Sequence, residues 1–166
     1  SYTNLNVKLN KNRNMNLVFK SLTNRRPIDL ISYVKDYMLN NPETSLYIGC
    51  DSQNTKHMTN YATVIVLYNK GRGGHVLYAR EVIPQIYDRF SRLWREVEQS
   101  IQLAELLKAN GIKKPTSIDL DLNPDPKYKS NALLRSALGY VEAMGYTSRC
   151  KPDAMCASYV ADMLCH

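Results

Sequence analysis

The chain has 166 residues, 44% hydrophobic and 22% charged, the length and composition of one globular domain. Its formal charge of +7 is uneven: residues 1–26 carry six basic side chains and no acid, so the rest of the chain is close to neutral at +1. No apolar run approaches the ~20 residues of a membrane-spanning helix, residues 1–26 contain no apolar secretory core, and Cys50, Cys150, Cys156 and Cys165 lack both C-x-x-C spacing and the density of a stapled domain. Reduced thiols in a cytoplasmic protein are the expectation.

Residues 1–26 read as a basic, Asn- and Lys-rich N-terminal tail, extended or partly disordered, from which Leu17, Val18 and Phe19 are placed to dock on the body. Residues 27–166 read as the folded domain. From Pro27 the spacing of Ile28, Ile31, Val34, Tyr37 and Met38 predicts a helix, ended by Asn40-Asn41-Pro42. Three strands follow: Ser45 to Asp51, Tyr61 to Tyr68 and His75 to Ile83. The last two flank Asn69-Lys70-Gly71-Arg72-Gly73-Gly74, whose glycines suit a hairpin turn.

Residues 89–110 form the longest helical pattern, with Leu93, Val97, Ile101, Ala104 and Leu107 on one face and Gly111 as its terminator. A fourth strand is expected at Thr116 to Leu122, a helix at Ser130 to Met144, a fifth strand at Tyr146 to Lys151 and a last helix at Pro152 to Cys165. A three-strand meander followed by alternating helix and strand implies an α/β fold. Its sheet is mixed and five-stranded, with helices on both faces and an extra helix at the N-terminal side.

The acids are placed unevenly along these elements. Asp51 ends an otherwise apolar strand, where a lone charge is costly. Glu96 borders the apolar stripe of the long helix, Asp119 and Asp121 share one face of the fourth strand, and Asp153 opens the last helix. The connections allow the ends of the first and fourth strands to be neighbours. Carboxylates converging there repel one another unless a cation joins them. Hard divalent ions such as Mg²⁺ take oxygen ligands, and two of them clamp both oxygens of a phosphodiester displacement.

With these residues in view, the chain resembles the ribonuclease H-like superfamily, most closely its bacterial YkuK-type branch. The matching pieces are Ile48-Gly49-Cys50-Asp51-Ser52-Gln53, the Gly71-Arg72-Gly73-Gly74 hairpin, Leu93-Trp94-Arg95-Glu96-Val97, Asp119-Leu120-Asp121-Leu122-Asn123 and Lys151-Pro152-Asp153-Ala154-Met155-Cys156-Ala157. The resemblance spans roughly residues 17–166. It implies a ribonuclease H-like domain acting as a nuclease on phosphodiester bonds with two Mg²⁺ or Mn²⁺ ions. The substrate class is the RNA strand of an RNA–DNA hybrid, single-stranded nucleic acid or branched DNA.

On that likeness, Asp51 bridges both metals, Glu96 and Asp121 hold one each, and Asp153 serves the metal that activates water. Asp119 is the alternate for Asp121, and Asp162 for Asp153. Lys56, Arg92, Arg95 and Lys151 are the expected contacts to the nucleic-acid backbone. Ser52 and Gln53 are placed to orient the site through hydrogen bonds. The other reading of the same residues is a ribonuclease H-like module that binds nucleic acid or protein without cutting.

Overall fold

A computed structural model describes residues 17–122, 125, 127 and 131–150. In chain order these form β1 (Lys20–Ser21), α1 (Leu30–Asn40), β2 (Ser45–Asn54), β3 (Met58–Asn69), β4 (Gly73–Pro84), α2 (Arg89–Ala109), β5 (Ser117–Leu120), α3 (Asn131–Ala143) and β6 (Ser148–Cys150). The strands make one mixed sheet in the order β1-β4-β3-β2-β5-β6. β2, β3 and β4 form the expected antiparallel meander, and β5 and β6 add in parallel beside β2.

The strand runs are β-branched and aromatic, and they alternate between two faces. Leu46, Ile48, Ile65, Leu67, Leu77, Ala79, Ile118 and Leu120 lie in one apolar cluster with Leu30 and Val34 of α1, Val97, Ile101 and Leu103 of α2, and Leu133, Ala137 and Val141 of α3. Tyr47, Ala62, Val64, Val66 and Tyr78, the alternate residues, form a second cluster on the opposite face. All three described helices thus join the first face. Helices were expected on both faces, and the last expected helix, Pro152 to Cys165, lies outside the described residues.

A sixth strand extends the expected sheet of five. Lys20 and Ser21 pair with Tyr78 and Leu77 at the edge of β4, and Leu17 and Phe19 are buried in the main core while Val18 is exposed. Residues 17–26, assigned from sequence to the tail, therefore contribute packed structure to the domain.

Local chemistry sets the helix limits. Asp29 and Asp88 cap α1 and α2 by accepting from Ser32 N and Ser91 N. Gly111 takes a positive φ of 81°, which lets Ile112 N return to Leu107 O at 3.0 Å and close α2. At the β3–β4 hairpin, a Cβ on Gly74 would stand 2.4 Å from the Leu67 carbonyl oxygen, so this position admits only glycine without backbone movement.

Candidate functional site

The site lies where β2 outruns β5. Gly49 of β2 pairs with Asp119 of β5, and β5 ends one residue later. Continuing that register brings Asp121 level with Asp51. Past Leu120 the strand pairing with β2 stops, while β2 runs on to Asn54.

Asp51 lies opposite Ala62, on the face turned away from the helices. Glu96 belongs to the buried side of α2, on the other face. The two carboxyls nevertheless share a hydrogen bond, beside the end of β5. Both residues are buried, 6% and 5% exposed, so no water shell separates them. Burial raises the Glu96 carboxyl well above its ordinary 4.5, the Asp51 charge adds to that, and Asp121 adds more. A shared proton or a bound cation would each relieve the repulsion between two such acids.

Ser52, next in the strand, points to α2 by the two-residue alternation. Its Oγ donates to Glu96 Oε1 at 2.9 Å. Arg92, one helical turn before Glu96, donates from Nη1 to Ser52 Oγ at 2.9 Å and to the Ser52 carbonyl at 3.2 Å. The expected orienting role of Ser52 thus has a geometric form. Asp121 is half-buried and lines a small cleft together with Glu96, Cys50, Ser100 and Asp119. Asp119 sits deeper, 1% exposed, and accepts from Ser117 Oγ at 2.9 Å. Among the described residues, no group of three or more His, Cys, Asp and Glu side chains is arranged to hold a metal ion. Asp153, Asp162 and Lys151 lie outside the described residues.

The expected basic track divides. Lys56 is exposed. Arg92 is turned onto Ser52. Arg95 forms an ion pair with Glu81 and lies 5.1 Å from the Tyr61 ring centroid, its side chain 13% exposed. Both arginines flank Glu96 on α2, and each is engaged by an acceptor within the domain.

Two buried polar residues of α2 escaped the sequence reading. Gln99 accepts from Thr63 Oγ1 at 3.0 Å and from the Cys50 thiol at 3.6 Å. Its Nε2 has no hydrogen-bond partner among the described residues. Ser100 lines the cleft. Their spacing of three and four residues after Glu96 was the available signal, since it continues the Glu96 stripe into the core.

A family model for ribonuclease H-like proteins matches residues 29–166. No curated protein matches the sequence. No helix among the described residues is long and apolar enough to cross a membrane.

Proposed function

The chain belongs to the ribonuclease H-like family, and on that premise we propose that it is a nuclease that hydrolyses phosphodiester bonds with the help of two divalent cations. The observation that carries this reading is the hydrogen-bonded, buried Asp51–Glu96 pair with Asp121 acting on it. An acid pair of this kind costs stability when empty, and its oxygen-only donors suit Mg²⁺ or Mn²⁺.

Asp51, Glu96 and Asp121 would hold the ions, with Asp153 completing the set. When bound, the ions lower the pKa of a water and neutralise charge on the phosphate and the leaving oxygen. The chain's own residues have defined tasks. Ser52 and Arg92 fix the Glu96 carboxylate against β2. Asp119, buried and hydrogen-bonded to Ser117, supports the strand end that carries Asp121.

Cleavage of single-stranded, hybrid and branched substrates with Mn²⁺ tests the proposal. Wild type should cut at least one of them, and Asp51→Asn should abolish the cut. Cleavage that survives the substitution would overturn it. The second reading, a module that binds nucleic acid without cutting, rests on the same family match. It predicts binding with no cleavage of any substrate.

A further inference from the structure

Exposed cations and exposed aromatic rings gather at the end of the sheet toward which β2 runs past the acid pair. The β2–β3 turn presents Lys56 to solvent. The segment entering α2 presents Tyr87 and Phe90, 82% and 52% exposed. Hydrogen bonds join these two segments into one surface. Gln85 N donates to His57 O at 3.1 Å, and Asn54 Nδ2 donates to Ile86 O at 3.3 Å. Thr59 Oγ1 donates to Asn54 Oδ1 at 2.6 Å and accepts from Ile86 N at 2.9 Å.

The surface is continuous with the acid pair. Ser52 and Arg92, which hold Glu96, each stand two residues from it, at Asn54 and Phe90. Arg89 is exposed and lies seven residues before Glu96. Seven residues are about two helical turns, so Arg89 shares the Glu96 stripe roughly 10 Å along the axis. The nearby acid, Asp88, is engaged as the α2 cap by Ser91 N at 2.9 Å and Ser91 Oγ at 2.5 Å.

Phe90 is also held in place. Its ring stacks on Trp94, with centroids 6.2 Å apart and planes 6° apart. Trp94 is fixed in turn by its Nε1 bond to Glu98 at 3.0 Å and by Tyr140 at 5.5 Å. Phe90 is thus set against Trp94 while about half of the residue remains open to solvent. A fixed, half-open ring flanked by cations is suited to stacking a nucleobase.

We infer that this surface binds a single strand of nucleic acid, stacking unpaired bases on Tyr87 and Phe90 while Lys56 and Arg89 contact its phosphates, and leads that strand to the Asp51–Glu96 edge. A duplex keeps its base faces stacked inside and offers surface rings nothing to stack on, whereas an unpaired strand offers both faces. The flanking cations favour a phosphate-bearing partner over an apolar protein surface. The destination of the strand rests on the nuclease reading; the binding itself does not.

The test uses the full chain in EDTA with a labelled single strand of about 12 nucleotides and a blunt RNA–DNA hybrid of the same length. Binding is read by anisotropy and by fluorescence of Trp94, the chain's one tryptophan. The single strand should bind more tightly than the hybrid and change Trp94 emission. Tyr87→Ala and Phe90→Ala should each weaken single-strand binding by roughly tenfold, and hybrid binding by less than about twofold. Tyr87→Phe should bind as wild type. Lys56→Ala and Arg89→Ala should each reduce the salt slope by about 0.7.

Equal or tighter binding of the hybrid, a single-strand Kd unmoved by both alanine variants, or no binding would overturn the inference. In the last case, alanine variants that alter sedimentation of the chain would assign the patch to protein contact. Because affinity is measured without metal, these outcomes are separate from the cleavage test of Asp51→Asn.

Discussion

Ser52 Oγ donates to Glu96 Oε1 at 2.9 Å, so the residue after one candidate ligand in β2 aims the next one in α2. Arg92 holds the same hydroxyl from the other side at 2.9 Å. Hydrogen-bonded supports of this kind hold a carboxylate in the orientation a cation requires. Ser52→Ala should therefore lower Mn²⁺ affinity by about tenfold or more, and Arg92→Ala should do so through Ser52. Titration calorimetry on the folded variants checks this, with Arg92→Lys expected to recover part of the loss.

The pH dependence of stability follows from Glu96. Burial first, then the Asp51 charge and hydrogen bond and the Asp121 charge, raise its carboxyl well above 4.5, while the Ser52 bond opposes them. The folded value exceeds the unfolded one. The metal-free chain therefore keeps its full stability below the unfolded value and loses stability as pH rises through the raised folded value. Thermal unfolding in EDTA should show this fall. Glu96→Gln should flatten it and raise Tm at neutral pH, and superimposable curves for the two proteins would contradict the assignment.

Asp119 and Asp121 should separate cleanly. Extending the β2–β5 register past its last pair would set Asp121 level with Asp51, whereas Asp119, in that last pair, is buried on Ser117 two residues earlier. Asp121→Asn should reduce cleavage by about a hundredfold or more. Asp119→Asn should mainly lower stability, by roughly 1 kcal/mol for the weakened hydrogen bond. Parallel rate and urea-unfolding measurements distinguish the two, and the reverse pattern would exchange their roles.

The Glu81–Arg95 pair joins β4 to α2 with both side chains mostly buried. Removing one partner leaves the other charge without its counter-ion, so Arg95→Met should destabilise the chain by roughly 2–4 kcal/mol. Glu81→Met with Arg95→Met should regain much of that. Oligonucleotide affinity should stay unchanged in the folded double variant, because Arg95 faces Glu81 and Tyr61 rather than solvent.

Much of the fold was legible from local pattern. The β-branched run Tyr61 to Tyr68 lies within β3, the glycine-bearing turn closes the β3–β4 hairpin, and the apolar spacing from Arg89 onward is α2. β1 was not legible, because two residues carry no periodicity and their order comes from pairing with Tyr78 and Leu77. The inward turn of Arg92 and Arg95 was also hidden. Charge alone favours water, and only Ser52 and Glu81, distant in sequence, make the packed positions favourable.

By itself the amino-acid order determined the strands and helices, the meander followed by alternation, and the placing of acids at strand ends and beside an apolar stripe. Alternation and helical period are local properties, and each residue carries its share of them. Tertiary structure alone decided that Asp51 and Glu96, set on opposite faces of the sheet, share a hydrogen bond. It also decided that Ser52 and Glu96, 44 residues apart, do the same. Both contacts join β2 to α2, and they lie where β2 extends past the end of β5 at Leu120. Contacts between residues 44 or more positions apart exist only once the strands have paired and α2 has packed on the sheet.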